Sequence, residues 1–410
     1  MRAGMTFAIS IQCALFVTMR NEVAVNISRR VFFGIFPCLL LAWGSFAVAA
    51  DNPISSESQQ KLDTIVAKGL QYLENSGQAA DGSFTAQAGP GLTALAVTGA
   101  LRNGKTVDDV VVAKGLKALE GFVKPDGGIY GNGRLRNYET CVAMLCFNEA
   151  NADGRYNETL KKAREFVTGL QYGKGEIEQE DVWFGGVGYG GAGRPDLSNT
   201  GYLVEALIET GSEAEDEAIQ RALVFVSRCQ NLESKYNDTQ FAGKVNDGGF
   251  YYEVPREKID PSTSPERYTE NGGIRSYGSM SYAGLKSMIY AGLTKDDPRV
   301  KAASQWVKDN YSVEKNPGMG SAGLFYYYHT FAAGLGTVGL TEVTDADGNT
   351  HNWREDLINE LAKRQNEDGS WANENGRWFE NDKNLATAFA LMALSYCDAD
   401  SAKPAGTATE

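Results

Sequence analysis

Histidine is nearly absent: the 410 residues include only 2, one of them His329, and no Cys-x-x-Cys occurs. A zinc knuckle therefore has no support. Proline is sparse, at 11 against 46 glycines, so sharp turns are expected without a low-complexity linker. Past residue 50 no apolar run approaches the length of a membrane span. Basic residues are outnumbered, 39 Lys and Arg against 52 Asp and Glu, for a formal charge of −13. The first 50 residues hold Arg2, Arg20, Arg29 and Arg30 against Glu22 alone, and taking that +3 from −13 leaves −16 on the rest. So acidic a body argues against nucleic acid, and against an anionic membrane surface, as a partner.

What is present begins with a leader. Arg29-Arg30 precede the apolar stretch Val31–Val48, and small residues at Ala47, Ala49 and Ala50 lead into polar sequence at Asp51. A charged segment, an apolar core and a small-residue cleavage site read as a signal peptide over 1–50. Ser28-Arg29-Arg30-Val31-Phe32-Phe33 resembles a twin-arginine signal, so a periplasmic or secreted protein is expected. Cys38 lacks the small residues of a lipoprotein box, and Met19 is an alternative start. Cys141, Cys146, Cys229 and Cys397 remain in the mature chain. Cys141 and Cys146 fall on different faces of a helical pattern, and four buried thiols are expected. With 42% hydrophobic residues, the remainder has ample material for a core.

The body repeats. Each unit opens with an amphipathic helical stripe, such as Leu62, Ile65, Val66, Leu70 and Leu73, or Val112, Leu116, Leu119 and Val123, or Trp353, Leu357, Ile358 and Leu361. Related stretches lie at Ala163–Gln171, Ala222–Gln230 and Ala303–Tyr311. A turn follows: Asp81-Gly-Ser-Phe84, Asp126-Gly-Gly-Ile-Tyr130, Trp183-Phe-Gly-Gly-Val-Gly-Tyr189, Asp247-Gly-Gly-Phe250, Gly323-Leu-Phe-Tyr326 and Asp368-Gly-Ser-Trp371. Asp-Gly favours a tight turn, because Gly accepts positive φ and Asp bonds its own backbone. A nearly all-apolar helix then begins at a hydroxyl residue, namely Thr93, Thr140, Thr200, Ser281, Thr330 and Thr387. Such residues are preferred N-caps, and a helix apolar all round is buried on most sides. Six amphipathic helices outside six buried ones predict a closed double ring over 51–397, with a disordered tail at 398–410.

Gln365-Asn-Glu-Asp-Gly-Ser-Trp371 resembles the Gln-Trp repeat of squalene–hopene and oxidosqualene cyclases, and Gln71 with Asp81-Gly-Ser-Phe84 reads as a degenerate copy. The resemblance to the terpenoid cyclase and protein prenyltransferase superfamily covers essentially the mature chain. It implies an all-α, single-domain α6/α6 toroid whose inner-helix N-termini open onto a central cavity. The family's chemistry is harder to find. Asp196-Leu-Ser-Asn-Thr200 is similar to the Asp-x-Asp-Asp-Thr motif of class II cyclases, but Ser198 stands where the proton donor should be and Asn199 replaces the last Asp. A hydroxyl cannot protonate an alkene near neutral pH. Tyr328-His329-Thr330 resembles the segment that carries a prenyltransferase zinc ligand, yet Tyr277 and Ser279 align with the missing Asp and Cys. A lone neutral His does not hold zinc, so neither metal nor other cofactor is expected. Cys229-Gln230-Asn231 is not a thioester sequence.

The residues preceding the six hydroxyls are Leu92, Glu139, Asn199, Met280, His329 and Ala386. With Arg136, Tyr138, Asp196, Tyr277, Tyr326 and Tyr328 they are expected at one mouth of the ring. Asp196, His329 and Glu139 are the candidates for acid–base work. Arg136, Tyr138, Asn199, Tyr277, Tyr328, Trp371 and Trp378 are the candidates for substrate contact, with Arg377, Phe379 and Glu380 beside the last. Bland roles compete: capping, dipole contacts for Asp196 and Glu139, and packing for the tyrosines. Asp345-Ala-Asp-Gly-Asn349 lacks the Gly placement of a calcium loop and is expected as a solvated turn. Gly185–Gly191 follows no strand and is not a nucleotide loop. Three functions follow: an isoprenoid-type cavity protein, a glycan-processing lyase or hydrolase, and a non-catalytic scaffold. An apolar, aromatic cavity favours the first, an open polar cleft with Arg and His the second, and a filled ring the third.

Overall fold

The computed structural model describes residues 54–173, 179–190 and 193–398. The expected leader and all but the first residue of the expected tail lie outside the described residues. Helices come in pairs along the chain. α1 (Ser56–Tyr72) precedes α2 (Pro90–Arg102), α3 (Val110–Glu120) precedes α4 (Arg136–Glu149), and α5 (Asn157–Gly169) precedes α6 (Leu197–Glu209). After α7 (Glu217–Arg228) an insertion carries the short α8 (Ala242–Val245) before α9 (Gly278–Tyr290). α10 (Pro298–Asp309) pairs with α11 (Leu324–Val338), and α12 (Trp353–Arg364) with α13 (Lys383–Leu394). The only sheet among the described residues is a hairpin of β1 (Val343–Thr344) and β2 (Thr350–His351).

Two concentric rings result. α2, α4, α6, α9, α11 and α13 each pack against the next, and α13 returns to α2; outside them, α1 meets α12 across the seam. The all-α toroid is thus the observed fold. Inner helices are buried nearly all round, as in the run Leu385–Leu394. Outer helices bury a stripe, as α5 does with Leu160, Ala163 and Val167, which is the division their periodicity dictates. All four body cysteines are buried and unpaired.

The hydroxyl residues do not start their helices. Each lies three to six positions inside, and the N-caps are residues such as Asp196 and Asp382, whose carboxylates take the N–H of Asn199 and Leu385. Buried within the inner ring, a hydroxyl has a better use. Thr93, Thr140, Thr200, Ser281 and Thr387 accept the backbone N–H of Phe84, Ile129, Val187, Phe250 and Trp371, at 2.9–3.1 Å. Thr140, Thr200 and Ser281 also donate back to the carbonyl four residues earlier. Thr330 is the exception and bonds only the Tyr327 carbonyl. Its expected turn, Gly323–Tyr326, is already the start of α11.

A second lock joins neighbouring repeats. The Gln365 amide donates to its own turn at the Gly369 carbonyl (3.0 Å) and to the Ile65 carbonyl of α1 (2.8 Å). Gln78, Gln171 and Gln230 repeat this, bridging Gly82, Gly185 and Gly248 to Val111, Ala218 and Arg299 of the following outer helix. Gln78, not the exposed Gln71, is therefore the repeat glutamine; its four-residue spacing to the glycine matches that of Gln365. Gly369 sits at φ +85°, and a Cβ there would overlap the carbonyl of Lys68 in α1. The last repeat thus closes on the first helix by backbone contact that only glycine permits.

Gly369→Ala should therefore destabilise the fold by roughly 2–5 kcal/mol, from positive-φ strain plus overpacking. Gly348, at φ +86° with open space around it, is the control, and its alanine variant should lose only about 1 kcal/mol. Urea denaturation of both variants checks this, and equal losses would show that the last turn is not locked.

Candidate functional site

The N-terminal ends of all six inner helices converge on a cavity of about 540 Å³. Six tyrosines line it: Tyr138, Tyr189, Tyr202, Tyr252, Tyr277 and Tyr326. Several touch one another, Tyr138 with Tyr202 (5.5 Å between centroids), Tyr202 with Tyr326 (6.4 Å) and Tyr326 with Phe389 (5.6 Å). The belt is continuous because these positions fall one helical turn apart on neighbouring inner helices: Ser198 and Tyr202 on α6, Leu385 and Phe389 on α13. Leu92, Leu135 and Met280 complete the apolar wall. At the mouth Trp378 and Phe379 are each 48% exposed, and both hold left-handed backbone, φ 56° and 68°. Such conformations are strained for large side chains. Arg377 lies over the Trp378 ring at 4.3 Å.

Among the described residues, the one charged side chain in the wall is Glu380. Its carboxylate accepts the N–H groups of Phe325 and Tyr326 (3.1 and 2.8 Å) and the Asn373 amide (2.8 Å). It thereby caps α11, although burial raises its pKa. Asp196 stands behind the wall. It accepts from Asn199 N–H (2.8 Å) and Asn199 Nδ2 (2.9 Å), and the cavity residue Tyr252 hydrogen-bonds to it. Burial pushes the Asp196 carboxyl up to about 7 against these bonds, which favour the anion.

Of the ten candidates for acid–base work or substrate contact, the structure brings three to the cavity, Tyr138, Tyr277 and Trp378, and Leu92, Met280, Tyr326, Phe379 and Glu380, expected beside them, line it too. Asp196 and Asn199 sit one layer behind it. Glu139 is buried beneath the next turn, where it accepts the Gly131 N–H at 3.0 Å and is desolvated enough to raise its pKa. Arg136 lies on the first turn of α4 outside the lining, and its Nε is buried without a partner. Tyr328 points outward and donates to the Val313 carbonyl (2.9 Å). Trp371 is core, packed on Gly69 with its indole N–H on the Leu361 carbonyl (2.8 Å).

His329 is deeper than the other residues that precede a hydroxyl. α11 starts six residues before Thr330, against three or four elsewhere, and the two or three extra residues amount to about 3–4.5 Å of helix. The ring stacks on Phe389, and burial pushes its pKa down to about 3, so it is neutral. Beside it lies a buried ion pair, Lys286 to Glu205 at 2.7 Å. That pair, with Tyr189, Tyr202, Tyr252 and Phe389, was missed by sequence reasoning. The signal for the pair was a Lys and a Glu inside otherwise apolar inner helices. Among the described residues no His, Cys, Asp or Glu cluster could hold a metal ion. Asp345 is engaged by Asn349 and by His351 (2.9 Å), as befits a hydrogen-bonded turn.

No protein-family model matches the chain, and no curated protein matches its sequence. Solved structures do match in fold. A variant of the type II terpene cyclase MstE from Scytonema, bound to geranylgeranyl dihydroxybenzoate, superposes with a TM-score of 0.50 at 13% identity, over 84% of this chain and 99% of that one. The family 76 glycoside hydrolase (mannosidase) Bt3792 from Bacteroides thetaiotaomicron gives 0.50 at 10% identity, over 82% and 97%. A possible family 105 member from Salmonella enterica gives 0.50 at 10%, over 88% and 98%. The fold is that of the terpenoid cyclase toroid, which glycan-active enzymes share.

The Asp196 environment has a consequence for stability. Its ordinary pKa is 3.8 and its folded value about 7, so between those values the folded chain keeps a proton that the unfolded chain has released. Stability therefore falls as pH rises through that window. Asp196→Asn removes this dependence and keeps a good N-cap. Its stability relative to the parent should rise by roughly 2–4 kcal/mol between pH 4 and pH 8. Denaturant titrations at the two pH values test this, and a constant difference would refute it.

Proposed function

We propose that the cavity binds an apolar ligand of the isoprenoid class and does not initiate cyclisation by protonation. The composition of the wall supports this reading: mainly aromatic and aliphatic, with Gln87, Ser198 and Ser279 as its neutral polar residues and the Glu380 carboxylate engaged as a helix cap. Sites of this size, mostly apolar with few polar groups, suit small hydrophobic ligands. Glycoside hydrolysis needs two carboxyl groups flanking the scissile bond, and a lyase-type reading calls for Arg and His in an open cleft. Neither set lines this cavity. A filled ring, as a pure scaffold would have, does not accommodate about 540 Å³. The terpene cyclase among the fold neighbours was solved with an isoprenoid-bearing substrate, which accords with this choice.

Chemistry is a separate matter. Ser198 lines the wall at the proton-donor position, and its hydroxyl is 2.7 Å from that of Tyr326. Neither group is acid enough for an alkene. Asp196, the remaining acid of the motif, is turned to Asn199 and Tyr252. The function proposed is thus binding or carriage, and we propose the periplasm or the exterior as its place, on the signal-peptide pattern of residues 1–50.

Incubation of the purified protein with squalene should return squalene unchanged by gas chromatography–mass spectrometry. Fluorescence titration with an isoprenoid such as geranylgeraniol should saturate at one per chain. Trp378→Ala should weaken that binding about tenfold, the loss of one aromatic contact of 1–2 kcal/mol. Saturable binding of uronic-acid oligosaccharides, with no isoprenoid binding, would transfer the protein to the glycan class.

A further inference from the structure

Beneath the cavity floor is a second, much smaller space of about 10 Å³ among α6, α9 and α11. Ser198, Tyr202 and Tyr326 belong to both linings, so the pit adjoins the cavity, with the hydrogen-bonded Ser198–Tyr326 hydroxyl pair between the two; a head group enters by parting that pair. Its other polar walls are Glu205, Lys286, His329 and Thr330. The volume is that of a single oxygen-sized group.

Most polar atoms here are already paired. Glu205 holds Lys286, Thr330 donates to the Tyr327 carbonyl, and Ser198 is bonded to Tyr326. Two fully buried atoms are not: the Tyr202 hydroxyl and His329 Nδ1, on side chains 5% and 1% exposed. Buried polar atoms without a partner are rare and costly. Both belong to residues lining the same one-atom space, and each can donate or accept one bond.

We infer that this pit is a head-group subsite, so that the ligand has an apolar body ending in one uncharged hydroxyl. The inference rests on the isoprenoid reading of the cavity and narrows it. A hydroxyl oxygen accepts one hydrogen bond and donates another, which matches the pair of unpartnered groups. A charged head is excluded by the balance of the surroundings. Lys286 is neutralised by Glu205, and the next cation along the axis, Arg102, by Glu149 at 2.5 Å. A carboxylate or diphosphate would enter as an uncompensated buried charge, and a diphosphate exceeds the volume. The ring of His329 is fixed for this role by its stacking on Phe389, 5.9 Å between centroids.

The test compares four probes on the mature protein: geranylgeraniol, the matching hydrocarbon without the hydroxyl, geranylgeranoic acid and geranylgeranyl diphosphate. The alcohol should bind about tenfold tighter than the hydrocarbon, and the two anions more weakly than the alcohol. Tyr202→Phe, nearly isosteric, should abolish the preference, so that alcohol and hydrocarbon bind that variant equally, with circular dichroism and the urea midpoint reporting intact folding. His329→Leu is the second variant, with the same expectation. Equal affinities for alcohol and hydrocarbon in the parent would overturn the inference, leaving the pit to a water molecule. A preference that survives both variants, or tighter binding of an anion, would overturn it too. Binding of none of the four would instead remove the isoprenoid reading itself, and the subsite with it.

Discussion

Between five of the six turns and the inner helix beside each runs one hydrogen bond: a backbone N–H given to a hydroxyl three or four residues inside the helix. Both partners are buried, so the bond is made away from competing water, and losing either side strands the other. It fixes how deep each inner helix sits relative to the turn before it. Five helices obey it, and their N-terminal turns therefore reach the cavity at a common height. The composition of the mouth follows from that common height. Where the bond is missing, at α11, the helix extends further toward the mouth, and the residues around Thr330 descend to the axis.

Electrostatics keep the cavity apolar despite its position. Six helix N-termini point at one region, and each brings partial positive charge and unsatisfied N–H groups. Asp196, Asp382 and Glu380 answer at α6, α13 and α11. Because these acids bond to backbone, Glu380 in the wall included, the wall presents mainly rings and aliphatic groups. Glu380 and Asp196 are accordingly desolvated, with raised pKa values. Their shifts are a by-product of lining an apolar chamber with helix ends.

The ring was legible in the sequence because it is periodic: stripes, Asp-Gly turns and apolar helices recur often enough to be counted. Depth along the axis was not legible. Placing His329 with Leu92 and Met280 assumed that every helix starts equally far before its hydroxyl, and α11 does not. Trp371 looked like a platform beside Trp378, yet the repeat pattern that makes Trp371 conspicuous is itself the mark of a packing residue, seated on Gly69. Trp378, seven residues on, lies outside that pattern and reaches the mouth. Tyr189 and Tyr252 lie within the long loops that precede α6 and α9, whose lengths give no register. Glu205 and Lys286 were visible as charges in buried helices, a signal that asks for a partner and, across two helices, names one.

The closing contact, in which the final Gln-Trp turn seats on α1, removes the ends of the repeat array. Open repeat arrays have terminal units with one neighbour each, and can lose order from those units inward. Here every pair has two neighbours, so no unit is the natural first to melt. Loss of any one pair exposes both flanking inner helices and opens the chamber to solvent. Such a chain is expected to hold or lose its structure as a whole, like a barrel hoop rather than a stack.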